Sequence, residues 1–120
     1  GVYSELEIVR GLPQTLLKKY FQPFQRNWSI TQSCRQFVEF RQLNLTNDWP
    51  IMTPYDIVFL RNVLLYFDTK TRGEVLKKMS HAIRPDGALF LGGAETMLGM
   101  NAGYERLTGN GCSYYRPKQS

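Results

Sequence analysis

Two short runs of apolar residues are continuous rather than alternating: Ile57 to Leu60 and Ala88 to Leu91. A strand with one wet face alternates, so these runs predict strands covered on both faces, as in a parallel α/β sheet. Between them Val75, Leu76, Met79, Ala82 and Ile83 recur at helical spacing. They predict a helix of about four turns, at ~3.6 residues per turn. Asp68 or Thr69 stands where an N-cap belongs, and Thr71 with Glu74 has capping-box spacing. Arg84-Pro85-Asp86-Gly87 reads as a turn into the second strand. Strand, helix and strand make a crossover unit, which joins parallel strands and is right-handed by default.

The pattern upstream is more mixed. Val2 to Val9 partly alternates and predicts a strand, broken at Gly11. Leu16, Leu17, Tyr20 and Phe21 form one apolar stripe on a helix opening near Leu12-Pro13 and closed by Pro23. Phe24 to Asn27 reads as a loop, and Trp28 begins a second strand. Phe37 to Leu45 predicts a further strand, with a kink or burial on both sides, before a loop with two prolines from Asn47 to Pro54. Downstream, Tyr104 to Leu107 and Cys112 to Arg116 flank Gly109-Asn110-Gly111, a strong hairpin signal.

Composition narrows the class. At 120 residues, 42% hydrophobic and 13% aromatic, the chain can pack one domain or be a piece of a larger one. No apolar run is long enough to span a bilayer, no signal peptide is visible, and membrane insertion is not expected. The opening Gly1-Val2-Tyr3, without Met, reads as the start of a fragment. Cys34 and Cys112 are far apart and make no zinc spacing, so two free thiols in a reducing cytoplasm are expected. The net charge of +5 comes from scattered Lys and Arg, which favours an acidic partner only weakly and gives no basic tract for nucleic acid.

Candidate chemistry is defined as much by what is missing. The sequence offers no Ser/His/Asp set, metal cluster, P-loop or GxGxxG. His81, the only histidine, sits in the helix without a Cys or carboxylate neighbour and reads as structural. Polar residues at three strand ends remain: Asn44, then Arg61 and Asn62, then Glu95. Ligands of open α/β sheets bind outside the carboxyl ends of the strands, and these residues fall there.

The segments YDIVFLRNVLLYFD (Tyr55 to Asp68) and RPDGALFLGGAET (Arg84 to Thr96) resemble the C-terminal part of the chemotaxis receptor methyltransferases of the CheR family. The matching motifs are Arg61-Asn62-Val63, Tyr66-Phe67-Asp68, Pro85-Asp86-Gly87, and Gly92 with Glu95. GLPQTLLKKYF and VEFRQLNL upstream look like family segments too. The resemblance implies a partial Rossmann-like α/β sheet of an S-adenosylmethionine methyltransferase with a small antiparallel β-subdomain. Residues 1–36 would form that subdomain with one helix, and residues 37–120 the C-terminal portion of the methyltransferase α/β domain.

The resemblance also implies transfer of a methyl group from S-adenosylmethionine to receptor glutamates, leaving S-adenosylhomocysteine. Carried over by position, Asn44 and Leu45 line the adenine site, Asn62 and Val63 contact the cofactor, and Tyr66 lies near the methyl group. Arg61 helps hold the site or the acidic substrate. The partner would be a methyl-accepting chemotaxis receptor, in the cytoplasm. The family's Gly-rich acidic motif and its following acidic residue are not in this sequence, so the fragment alone is expected to be inactive and to self-associate. In some relatives the subdomain docks a receptor peptide by strand addition, and the short Phe21-to-Trp28 connection argues against that here. Two other readings compete: a non-catalytic interaction module with a degenerate methyltransferase fold, and an RNA-binding domain suggested only by charge and aromatics.

Overall fold

The computed structural model describes residues 1–95 and 103–118, in two compact units, Gly1–Gln42 and Leu43–Ser120. The expected domain boundary at 36/37 falls a few residues earlier, inside the first unit. Among the described residues no helix is long and apolar enough to cross a membrane.

The first unit holds an antiparallel sheet of β1 (Val2–Tyr3), β2 (Phe21–Phe24) and β3 (Asn27–Ile30), in the order β1-β3-β2. Three short helices accompany it, rather than one: α1 (Glu5–Val9), α2 (Gln14–Tyr20) and α3 (Gln32–Arg35). The strand expected from Val2 to Val9 stops at Tyr3. Ser4 and Glu7 form a reciprocal capping box, with Ser4 N donating to Glu7 Oε2 at 2.7 Å and Glu7 N to Ser4 Oγ at 3.3 Å. That box starts a helix in the middle of the alternating pattern. Pro23 does not end the helix either. It lies within β2, opposite Trp28, and β2 is an edge strand on which a missing N–H is tolerated.

The second unit is built on a mixed sheet of β4 (Tyr55–Leu60), β5 (Ile83–Leu91), β6 (Tyr104–Gly109) and β7 (Cys112–Pro117), in the order β4-β5-β7-β6. β4 and β5 are parallel, joined through α4 (Thr69–Ala82), and the other pairs are antiparallel. Asp68 caps α4 by accepting from Thr71 N at 2.8 Å. Tyr55 pairs with Ile83 but Ile57 with Ala88, so the register shifts, and Arg84–Gly87, expected as a turn before the strand, lies instead within β5 as an irregularity of its pairing with β4. Asn110 and Gly111, at φ +51° and +74°, turn β6 into β7.

One face of this sheet is covered. Val75, Leu76, Met79 and Ala82 of α4 pack with Leu60, Leu64, Ile83 and Leu89. Val75, Leu76 and Leu89 are fully buried, each worth roughly 1.5–3 kcal/mol relative to exposure. Tyr104 enters the same core, and its hydroxyl donates to the Leu76 carbonyl at 2.7 Å.

Two expectations fail here. β4 is not covered on both faces: Ile57 and Phe59 stand 57% and 70% exposed. Phe59 stacks on Phe90 at 5.1 Å, and Phe90 meets Tyr114 at 5.8 Å, so the uncovered face carries a row of rings. Phe37 to Leu45 forms no strand, and Phe37 and Phe40 are 84% and 93% exposed. A strand needs a neighbour for its backbone groups, and none pairs with this segment among the described residues.

β4 pairs only with β5 among the described residues, so its other edge presents unpaired backbone beside Ile57 and Phe59. Such an edge recruits further strands. The chain is expected to self-associate in a concentration-dependent way, with Phe59→Lys shifting it toward monomer. Light scattering checks this, and a monodisperse wild-type monomer at high concentration would refute it.

Candidate functional site

The parallel pairing brings the carboxyl ends of β4 and β5 together. After Leu60 the chain turns at Asn62, whose φ is +58°. Few residues other than Gly accept this left-handed region, and Asn is among those that do. Val63 returns to right-handed geometry, and Leu64–Tyr66 makes one 3-10 turn. The alternation aims successive N–H groups at one point, a backbone nest suited to an anion.

Glu95 fills that nest. Its Oε2 accepts from Leu64 N at 2.8 Å and Val63 N at 3.2 Å, and its Oε1 accepts from Asn62 N and from Gly92 N at 2.8 Å. Burial alone would raise the carboxyl's pKa. The four N–H donors outweigh it and hold Glu95 below the ordinary value of 4.5. Gly92 completes the fit, because a Cβ there would overlap Asn62 Oδ1 and approach Glu95 Oε1 to 2.7 Å.

The Asn44–Trp49 loop is fastened to α4. Asn44 Oδ1 accepts from Thr46 N at 3.1 Å and Thr46 Oγ1 at 2.8 Å. Lys78 Nζ donates to the carbonyls of Leu45 and Asn47, both at 2.8 Å, and Trp49 Nε1 donates to Leu45 O at 3.1 Å. Leu45 and Val63 pack against the same core. Arg61 is exposed and Tyr66 is 78% exposed, and neither side chain has a hydrogen-bond partner among the described residues. His81 is exposed, with Nδ1 2.9 Å from the Lys77 carbonyl, and it lines an open cleft of about 500 Å³ with Asp48, Trp49 and Lys78 that none of the strand-end residues reaches.

Thus Asn62 and Val63 meet Gly92 and Glu95 directly, while Asn44 and Leu45 sit on a separately anchored loop. The sequence puts Glu95 at a strand end but carries no sign of the main-chain N–H groups that it binds. Lys78 and Arg72, which hold the two loops from α4, escape sequence reasoning, because a helical Lys or Arg carries no signal of the carbonyl it will reach.

Fold and site together define an α/β domain that gathers polar groups at the carboxyl ends of two parallel strands. The chain belongs to the CheR methyltransferase family: residues 1–111 match the family model described as CheR methyltransferase, SAM binding domain. It is 38% identical over 106 residues to the chemotaxis protein methyltransferase Cher2 of Pseudomonas putida, covering 88% of this chain and 38% of that protein. It is 33% identical over 119 residues to chemotaxis protein methyltransferase 1 of Pseudomonas aeruginosa, covering 98% of this chain and 43% of that protein. A probable biofilm formation methyltransferase, WspC, of the same species is 36% identical over 100 residues, covering 82% of this chain and 24% of that protein. The chain therefore spans less than half the length of these relatives.

S-adenosylmethionine is the cofactor of that family's domain. The residues present fit part of such a group: the exposed Asn62 turn is polar, and Asn44 and Leu45 pair an amide with an apolar side chain.

Two outcomes follow from this geometry. Asn62→Ala should cost about 1–2 kcal/mol, the strain of a left-handed L-residue, whereas Asn62→Gly should be close to neutral; denaturant unfolding separates them. The second concerns pH. A carboxyl with a lowered folded-state pKa stabilises fully above its unfolded value, and that contribution disappears as pH falls through the folded one. The amide resonances of Asn62 and Leu64 should therefore titrate together, with a midpoint below 4.5. A midpoint at or above that value would contradict the four-donor nest.

Proposed function

We propose that this chain is part of an enzyme that transfers a methyl group from S-adenosylmethionine to glutamate side chains of methyl-accepting chemotaxis receptors, in the cytoplasm. The observation that carries the reading is the Arg61–Tyr66 turn, held at the carboxyl ends of a parallel pair in a chain of this family. The relatives' names, chemotaxis protein methyltransferases, support it. In this reading residues 1–36 are the antiparallel subdomain and residues 37–120 belong to the methyltransferase domain.

The bound cofactor supplies a methyl group already activated on a sulfonium sulfur. Asn44 and Leu45 bind its adenine end, and Asn62 and Val63 hold it at the strand ends. Arg61, exposed and without an ion-pair partner among the described residues, draws in the substrate carboxylate. Tyr66 orients the carboxylate beside the methyl group. A glutamate, with a reference pKa of about 4.3, is ionised at neutral pH, so no general base is required. The protein's task is alignment and exclusion of water.

The test is methyl transfer to receptor in the full-length enzyme, read as base-labile methyl ester on glutamate. Tyr66→Phe should lower turnover by about tenfold while leaving cofactor affinity within about twofold. Equal turnover would reduce Tyr66 to a surface aromatic, and absence of ester from the wild-type reaction would end the glutamate assignment. The chain alone should bind the cofactor far more weakly than the full-length enzyme, as calorimetry would show.

A further inference from the structure

We propose that Glu95 and Arg72 are positioning residues that grip the two polar ends of the Asn62–Phe67 turn and preset it for cofactor and substrate. The positioning role rests on the function proposed above; the grip itself rests on geometry.

Glu95 holds the N–H end through Asn62, Val63 and Leu64. Arg72, on the first turn of α4, holds the carbonyl end. Its Nε donates to Leu64 O at 2.9 Å and to Phe67 O at 2.8 Å, and Nη2 reaches Leu65 O at 3.5 Å. Leu64 is the common point: its N–H faces the carboxylate and its carbonyl faces the guanidinium. An anion at the N–H end and a cation at the carbonyl end is the arrangement that aligned peptide dipoles favour.

The turn needs such help. A single 3-10 turn has poor hydrogen-bond geometry, and here its own bonds are Tyr66 N to Val63 O at 3.2 Å and Phe67 N to Leu64 O at 3.0 Å. Of the turn only Leu64 is fully buried, at 2% exposed, while Val63 and Phe67 pack at the margin of the core. Asn62 and Tyr66 are exposed, so their positions are inherited from the backbone. Gly92 reports how close the grip is, since any side chain there would displace either Asn62 or Glu95.

Amide hydrogen exchange on this chain tests the grip. Glu95→Gln keeps the shape but removes the charge, and it should accelerate exchange at Asn62, Val63 and Leu64 by about tenfold or more, leaving Val75 and Leu76 of α4 unchanged. Arg72→Gln should do the same at Tyr66 and Phe67. In the double variant the accelerations should be smaller than the product of the single ones, because both act on one turn. Unchanged exchange in the turn, or acceleration spread equally over α4, would overturn the proposal.

Calorimetry with S-adenosylmethionine on the full-length enzyme tests the role. Each substitution should weaken binding about fivefold or more. Wild-type binding with unchanged affinity in both variants would overturn the positioning role alone. A wild-type enzyme that does not bind the cofactor would remove the functional reading itself, and the positioning role with it.

Discussion

The second unit depends on the parallel pairing of β4 with β5. Parallel strands cannot be joined by a tight turn, so the chain must leave the sheet and return along its face. α4 makes that return, and burying Val75, Leu76 and Met79 against Leu60 and Leu89 is what holds the pair together. The same topology makes both strands end on one side. Arg61–Leu64 and Gly92–Glu95, about thirty residues apart along the chain, meet there because the strands run the same way. The candidate site is thus a consequence of strand direction before it is a matter of any side chain.

What the topology brings together, backbone polarity then fixes. Among the residues after β4 only Leu64 is fully buried, with Val63 and Phe67 at the margin of the core, so apolar packing leaves Arg61, Asn62, Leu65 and Tyr66 unheld. A left-handed Asn62 followed by a right-handed Val63 exposes consecutive N–H groups that must find acceptors. Glu95 answers three of them and Gly92 N besides. Lys78 does the complementary thing at the other loop, giving its protons to the carbonyls of Leu45 and Asn47 while its ammonium lies 5.5 Å from the Trp49 ring. In both places an ionic side chain supports a loop through its main chain.

How much of this was legible in the sequence follows from which forces were local. The α4 stripe, the two continuous apolar runs and the Asn110-Gly111 turn each carry their signal within a few residues, and each is found in the structure. The strand expected through Val2 to Val9 stops at Tyr3 because Ser4-x-x-Glu7, a capping signal as local as the alternation, prevails over it. Phe37 to Leu45 failed for a different reason: a strand is a relation between segments, and its pattern cannot certify the neighbour. Runs covered on both faces were inferred for β4, yet the side bearing Ile57 and Phe59 is open. At the site, Asn62 and Glu95 could be placed at strand ends from the sequence. That the carboxylate binds the main chain of the Asn62 turn could not, because a nest is made by φ and ψ and has no residue code.

The proposed chemistry gives this economy of side chains a reason. A catalyst that must move protons needs a group poised near neutrality, such as His, and pays in desolvation to tune it. A carboxylate attacking a sulfonium methyl needs neither a base nor an acid, since the nucleophile is ionised beforehand and the leaving sulfur departs neutral. The remaining barrier is one of approach and alignment, and misplacement by about an ångström can cost a hundredfold in such a step. Rigidity of the turn that carries Asn62 and Tyr66 then matters more than the reactivity of any residue on it. A carboxylate bound to several N–H groups supplies that rigidity at neutral pH, because those donors favour its charged form and hold its pKa below the ordinary value.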